Sequence, residues 1–426
     1  MLQKKLQTQK GIIVFVPHYI GSFKYYEKLV PYLQERYEVY FLLLFVHEKY
    51  FAEMKDYALK GEYRTFVVEP PANGVFDWIA PIRYARNIKV FKTGVLKLFY
   101  DNPRIRKIIS VNDSGVYVRY LFNEANKIGV GTMVLQWAMF LEGARNWNKK
   151  QVKGFRGLLY TVGKPIYAKL KRLIARLILG RGFILSKALP GRGNSKKFGV
   201  INRQAYDYFV QNGVPKEKLS IAGYLDYYFA EKVKQDFGRN ERGREAAARR
   251  LLINMQKKQI VFFSSPYNGK DIRVLTDEGQ YNFTEALVKA IRAVFPAETH
   301  DIRVKIHPTE NIELYRPLSK WGVTLYDKHT NNYELIYFAD LYIAGGTTTN
   351  FIPLVMDKDA IFVNFLKHPI IESTKKVFNI RHFVTDYPTF TKLLTDFKNG
   401  TLAKQYYDVG GVTTPDSLNK ILEWIG

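Results

Sequence analysis

The feature that most constrains the fold is an alternation. Apolar runs of strand length recur along the chain, separated by longer stretches with helical spacing. The run GIIVFV at 11–16 is apolar throughout after its glycine, which suits a strand covered on both faces. A polar, glycine-containing turn at 17–22 leads into a helix carrying Tyr26, Leu29, Val30 and Leu33, and VYFLLLFV at 39–46 supplies the next strand. Strands are expected again at 107–111 and 131–136, with VRYLFNEANKIG helical between them. The pattern restarts at 259–265 (QIVFFSS), followed by a helix over 283–295 and a strand over 302–308 that ends in His-Pro. It continues through 333–346, the helical stretch TTTNFIPLVM and a strand at 360–365. Strands joined by helices are parallel, and parallel sheets carry helices on both faces. Two doubly wound α/β units are therefore expected.

A length of 426 residues suits two to three domains. Between the two series lies FGRNERGREAAARR at 237–250, charged and without large apolar residues after its first, as in a linker or an exposed helix. The expected division is 1–235, a linker at 236–254, a second domain at 255–414 and a helix at 415–426. In that last segment Leu418, Ile421, Leu422 and Ile425 share a helical face. No internal repeat or low-complexity tract is present.

Lys and Arg outnumber Asp and Glu by 26, which implies an anionic partner: nucleic acid, a phosphorylated substrate or an anionic membrane. Cysteine is absent, so disulfides and thiolate metal sites are excluded and a reducing compartment fits. The longest apolar runs fall short of the roughly 20 residues that a bilayer-spanning helix needs. The N-terminal MLQKKLQTQK lacks the apolar stretch of a signal peptide. A cytoplasmic location is expected, peripheral on the inner face of the cell membrane.

The charge is concentrated. Residues 143–206 hold no Asp or Glu, and their Lys and Arg supply more than half of the surplus. Within this block Ile166, Leu170, Leu173, Ile174, Leu177 and Ile178 follow helical spacing, interleaved with Lys164, Lys169, Lys171, Arg172 and Arg176. A cationic amphipathic helix of this kind suits a headgroup interface, where Lys164, Lys169, Arg172 and Arg176 would meet membrane or acceptor. Residues 78–99 form a second basic and aromatic stretch, with Arg83, Arg86, Lys89, Lys92 and Lys97 beside Tyr84, Phe91 and Leu96. The alternative is a solvated helix whose apolar stripe packs on its own domain. Nucleic acid ranks lower, since neither zinc-finger spacing nor an aromatic RNA-recognition motif occurs.

Three motifs could carry chemistry. His307-Pro308 closes a strand, and open α/β sheets bind ligands at the carboxyl ends of their strands. An imidazole there can donate a hydrogen bond to a phosphate and stabilise a leaving group. Gly345-Gly346-Thr347-Thr348-Thr349 follows the next strand and opens a helical stretch, so backbone, hydroxyls and helix N-terminus could meet the same anion. An ordinary Thr N-cap would look the same. Glu142-Gly143 follows the apolar run TMVLQWAMFL, where a carboxylate could deprotonate an acceptor hydroxyl, or could simply be a loop glutamate beside a turn glycine. A rival acidic pair, Asp277-Glu278 before Gly279, reads as a flexible substrate loop. Asp357-Lys358-Asp359 is a DxD string in a helix-to-strand turn, where Asp is favoured for turn reasons, and no metal site is expected there. Neither GxGxxG nor GxxxxGK[ST] occurs, so dinucleotide oxidoreductases and P-loop ATPases lose support.

In this order the pieces resemble bacterial GT-B glycosyltransferases with CMP- or CDP-linked donors: sialyl- and polysialyltransferases, Kdo transferases and CDP-glycerol glycerophosphotransferases. The family pattern is an acidic-Gly motif, then His-Pro, then a hydroxyl-rich motif, matched here by Glu142-Gly143, His307-Pro308 and Thr347 to Thr349. INRQAYDYFVQNGVPKEKLSIAGYLDYYF at 201–229 looks like the family's stretch before the interdomain linker. The resemblance implies a GT-B fold, α/β, with two Rossmann-like domains whose parallel sheets face a central cleft. It implies an N-terminal acceptor-binding domain, a C-terminal nucleotide-donor domain, and a last helix packing back toward the first domain. Glu142 and His307 would be catalytic, and His307, Pro308, Gly345, Gly346, Thr347, Thr348 and Thr349 would bind the donor.

The activity implied is a metal-independent, inverting transfer to a lipid-linked or polysaccharide acceptor in cell-surface glycan synthesis such as capsule or lipopolysaccharide. No cofactor beyond the nucleotide-sugar co-substrate is implied. Three departures stand out. Leu141 replaces the first of two acids in the sialyltransferases, Gln136-Trp137 stands where teichoic-acid enzymes carry a His, and NFIPLVM lacks the glutamate that holds ribose in UDP-sugar enzymes and 2-epimerases. The last favours cytidine. Alternatives are a CDP-glycerol-type polyol-phosphate transferase, a UDP-sugar GT-B enzyme, or a non-enzymatic binding protein on a decayed transferase fold.

Overall fold

Both strand-and-helix series fold as parallel sheets. The structure, a computed structural model, describes residues 10–45, 48–71, 79–137, 155–180, 189–267, 274–308, 310–345, 348–367, 381–404 and 416–426. It divides into two compact units. The first runs to Trp137, resumes through Leu225 and closes with Ser417–Gly426, and the second holds Asp226–Asp416.

The first unit is built on β1 (Gly11–Val16), α1 (Ile20–Glu27), α2 (Val30–Leu33), β2 (Tyr37–Leu44), α3 (Glu48–Lys60), β3 (Thr65–Val68), α4 (Ala80–Asp101) and β4 (Ile105–Ser110). It continues with α5 (Val116–Lys127), β5 (Gly131–Leu135), α6 (Phe155–Leu179), β6 (Lys197–Val200), α7 (Arg203–Gln211) and β7 (Leu219–Ile221). The sheet order is β3-β2-β1-β4-β5-β6-β7, all parallel among the described residues. Ile13 to Val16 of β1 are fully buried, as a central strand covered on both faces requires. Phe15 stacks on Tyr26, and Phe23 on Phe41 with ring centroids 4.0 Å apart. Buried Asp113, just after β4, accepts hydrogen bonds from the backbone of Gly191 and Ser195 and from the Ser195 hydroxyl. A Cβ on Gly193 would meet the Asp113 carbonyl at 2.0 Å, so only glycine lets that loop close.

The second unit opens with α8 (Leu225–Arg239) and α9 (Glu241–Arg250), where the sequence suggests a linker at 236–254. The two compact units divide at Leu225/Asp226. Ala247 and Ala248 of GREAAARR are buried, and their small side chains let α9 seat closely. Buried Arg303 fixes the end of α9 by donating to the carbonyls of Leu251 and Leu252.

Then follow β8 (Lys258–Phe263), α10 (Asp277–Val294), β9 (His300–Lys305), a 3₁₀ helix (Ile312–Trp321), β10 (Val323–Tyr326), α11 (Asn332–Tyr337) and β11 (Leu341–Ala344). A 3₁₀ turn (Thr348–Asn350), α12 (Phe351–Val355), β12 (Asp359–Val363), β13 (Phe383–Val384) and α13 (Tyr387–Lys398) complete it. Sheet order is β10-β9-β8-β11-β12-β13, again parallel among the described residues. Its core joins Ile260, Phe262, Leu287, Ile291, Val304 and Ile343. The last helix, α14 (Ser417–Ile425), belongs to the first unit: Leu418, Ile421 and Ile425 are buried, and Lys107 donates to the Ile425 carbonyl. No helix among the described residues is long and apolar enough to cross a membrane.

Candidate active site

In each sheet the chain winds outward one way and then crosses to the other side of its first strand. The switch falls between β1 and β4 in the first unit and between β8 and β11 in the second. Open α/β sheets bind ligands outside the carboxyl ends of the strands at such a point.

In the second unit that place is occupied by Ser264 and Ser265 after β8, His307 after β9 and Gly345 after β11. Ser264 continues the ladder through its N–H to the Lys305 carbonyl at 3.0 Å. The N–H of His307 donates to the Ser264 hydroxyl at 2.8 Å and to the Glu310 carboxylate at 3.2 Å. Glu310 also accepts from the hydroxyls of Ser264 and Tyr315, so one carboxylate ties the His-Pro turn to β8 and to the 3₁₀ helix. Burial pushes the Glu310 carboxyl up, and the hydrogen bonds from Ser264, Tyr315 and the His307 backbone oppose that shift. Burial and the charge of Lys305 bring His307 down to about 4, so its imidazole is neutral at physiological pH. Buried Lys305 donates to the Asp327 carbonyl and places a positive charge behind the histidine.

Gly345 is constrained from outside. A Cβ there would stand 2.6 Å from the Tyr267 hydroxyl and 2.7 Å from that of Ser265. Gln280 of α10 donates to the Ser265 carbonyl at 3.0 Å and anchors that loop. Buried Asn350 donates to the Gly345 carbonyl at 2.6 Å and accepts from the Tyr342 hydroxyl. The result is a neutral imidazole, the Ser265 and Tyr267 hydroxyls and a glycine at three adjacent strand ends, with the Ser264 hydroxyl committed to Glu310. That set can surround a small anion with hydrogen-bond donors and little bulk.

The sequence-expected residues fall as follows. His307 and Gly345 share this switch point, and Pro308 is exposed in the turn after β9. Thr349 lies with its hydroxyl 3.4 Å from that of Tyr342. Gly346 and Thr347 lie outside the described residues, as do Glu142, Gly143 and Leu141; Thr348 is described as the start of its 3₁₀ turn only. The helix expected to open at this motif is a 3₁₀ turn followed by the five residues of α12, too short to present a substantial dipole. Asp277-Glu278-Gly279 is corrected from a substrate loop to the first turn of α10, where the Thr276 hydroxyl caps the Gly279 N–H at 3.0 Å. The two acids there suit the positive end of the helix. Asp357 occupies the tight turn before β12 with φ 57° and pairs with Lys234. Lys169, Arg172 and Arg176 are exposed on α6, which also includes Lys164.

Sequence reasoning missed Ser264, Glu310 and Asn350, although FFSS and HPTE hold the first two in plain view. It also missed the first unit's switch point. There the Nε2 of His18 lies 3.2 Å from the Ser110 hydroxyl. Beside it the Tyr19 ring meets Trp137 edge-on at 5.0 Å and Tyr50 at 6.1 Å.

Neither a family model nor a curated protein matches the chain. Solved structures do. The UDP-GlcNAc 2-epimerase of Methanocaldococcus jannaschii is similar with a TM-score of 0.56 at 8% identity, covering 97% of this chain and 99% of that one. The UDP-GlcNAc 2-epimerase of Neisseria meningitidis, bound to UDP-GlcNAc, gives 0.56 at 10% identity with the same coverage. The H548A form of the wall teichoic acid polymerase TagF gives 0.52 at 12% identity, covering 97% of this chain and 88% of that one. At these identities the likeness establishes the fold: α/β of the GT-B class, with two Rossmann-like units.

Proposed function

We propose that the chain is a transferase that moves a sugar from a CMP- or CDP-linked donor to a lipid-linked or polysaccharide acceptor in cell-surface glycan synthesis. The observation that carries this reading is the convergence of His307, Ser265, Tyr267 and Gly345 on the switch point of the second unit. In this account the second unit takes the donor. His307 donates a hydrogen bond to its phosphate, and that bond strengthens as charge builds on the leaving group. The Gly345–Thr349 loop lines the same group. The first unit takes the acceptor, and Glu142 removes the proton from its hydroxyl, which suits inversion without a metal.

The solved structures that share the fold include a UDP-GlcNAc 2-epimerase bound to UDP-GlcNAc and a wall teichoic acid polymerase, which supports a nucleotide-activated substrate for this chain. The 2-epimerase reading is disfavoured by residues 350–356, which hold no carboxylate to grip a ribose. Asn350, at the head of that stretch, is buried and hydrogen-bonded inward. A polyol-phosphate transfer from CDP-glycerol is the second reading, favoured by the teichoic acid polymerase among the similar structures.

A thermal-shift panel of CMP, CDP, UDP, GDP and ADP tests the donor, since a ligand of the native state alone raises Tm with occupancy. Cytidine nucleotides are expected to give the largest rise, and no response to any of the five would sink the reading. With a responding donor in hand, Glu142→Gln should lower turnover about 10²–10⁴-fold while leaving the nucleotide shift near wild type. Full activity in that variant would move the base elsewhere.

A further inference from the structure

We infer that α4 and α6 form a monotopic docking surface for an anionic phospholipid bilayer, an inference that stands independently of the nucleotide site. The two helices pack on each other. Lys92 of α4 donates to the Ile178 carbonyl at 2.8 Å, and the Lys171 ammonium lies over the rings of Tyr84 and Tyr167 at 5.0 and 4.5 Å. With Ala175 fully buried, the stripe Lys171, Ala175, Ile178 is the one turned inward.

That leaves the leucines outside. Leu170, Leu173 and Leu177, at helical spacing, are 37%, 54% and 71% exposed. One position before each comes Lys169, Arg172 and Arg176, all exposed, so a cationic stripe runs beside the apolar one. On α4, Leu96 and Tyr100 are 46% and 88% exposed. A helix that merely packs on its own domain buries its leucine stripe; here a different stripe is buried and the leucines meet solvent. No acidic residue lies anywhere in α6, so the surface complements anionic headgroups while the leucines reach the acyl boundary.

The test is co-sedimentation of the full chain with vesicles of phosphatidylcholine alone or with about a third phosphatidylglycerol. Wild type should bind the anionic vesicles and bind the neutral ones far less. Lys169→Gln with Arg172→Gln and Arg176→Gln should weaken anionic-vesicle binding about 100-fold. Leu173→Ser with Leu177→Ser should weaken it about tenfold or more, a loss that raising the salt does not mask. Circular dichroism and Tm of each variant confirm folding. Equal binding by the leucine variant would make the surface a polyanion site and overturn the inference. So would a wild-type dimer that the leucine variant dissolves, with no vesicle binding by either protein. Failure of the chain to respond to nucleotides would sink the transferase reading and leave the vesicle result standing.

Discussion

The two units share a strand order and differ in what they set at the switch point. In the second unit, strand ends carry small or hydrogen-bonding residues, Ser264, Ser265 and Gly345, and a histidine held neutral by burial. A half-buried carboxylate below them, Glu310, takes the donors of three different segments. In the first unit, the Nε2 of His18 lies 3.2 Å from the Ser110 hydroxyl, and the partly exposed rings of Tyr19, Tyr50 and Trp137 cluster beside it. The second unit's strand ends gather hydroxyls, an imidazole and a glycine; the first unit's gather rings, an imidazole and a hydroxyl. The same sheet topology supplies the place, and the residues after each strand decide the chemistry.

The comparison breaks most visibly if Glu310 is removed. Glu310→Ala leaves the Ser264 and Tyr315 hydroxyls and the His307 N–H without their shared acceptor, which should cost about 3–5 kcal/mol. Denaturant unfolding of the variant against wild type measures it. A loss under about 1 kcal/mol would mean that the carboxylate is not what holds the His-Pro turn.

The protonation of His307 offers the next largest effect. Its folded value, about 4, lies below the ordinary imidazole value, so as pH falls through 6.5 the unfolded chain takes up a proton that the folded chain refuses. Stability from the neutral ring is complete above that value and is lost on the way down to pH 4. The difference in unfolding free energy between wild type and His307→Gln should therefore shrink by up to roughly 3 kcal/mol between pH 7.5 and pH 4. Glu310 is present in both proteins, so the difference isolates the imidazole. A pH-independent gap would place the ring in solvent.

Gly345→Ala comes third. Its Cβ would crowd the hydroxyls of Tyr267 and Ser265, at an expected cost of about 1–3 kcal/mol and with a weakened nucleotide response. The equivalent change at Gly115, where an added Cβ meets nothing within 4 Å, should leave nucleotide binding unchanged. The smallest effect sharpens the contrast from the other side: Trp137→Ala should leave nucleotide affinity within about twofold of wild type while raising KM for the acceptor. Nucleotide loss in that variant would mean that the aromatic cluster serves the donor.

How far the sequence foretells this follows from burial. Central strands such as β1 and β8 are legible because each carries an unbroken buried apolar run, Ile12 to Val16 and Ile260 to Phe263. Edge strands such as β7, three residues long, and β13, two residues long, carry too little pattern to stand out. Helix α9 is legible only as one of two alternatives, a linker or an exposed helix, because alanines and arginines give no apolar stripe, and its seat depends on Arg303 from a distant strand. The start of α10 was written in Thr276-Asp277-Glu278, a capped acidic first turn, yet a reading for catalytic acids takes those carboxylates as free. His307 is legible as a strand-end residue. Glu310 is not, since its partners come from three segments that only the fold assembles. Glu142 lies outside the described residues, so its role rests on the sequence resemblance alone.

The central claim is that the second unit's switch point, and not the first's, holds the nucleotide. Calorimetric titration of CDP into wild type, His307→Ala and His18→Ala tests it in one series. The account predicts that His307→Ala weakens binding about tenfold or more, the value of a hydrogen bond to a charged group, while His18→Ala binds as wild type does. Wild-type affinity in His307→Ala together with a loss in His18→Ala would contradict it.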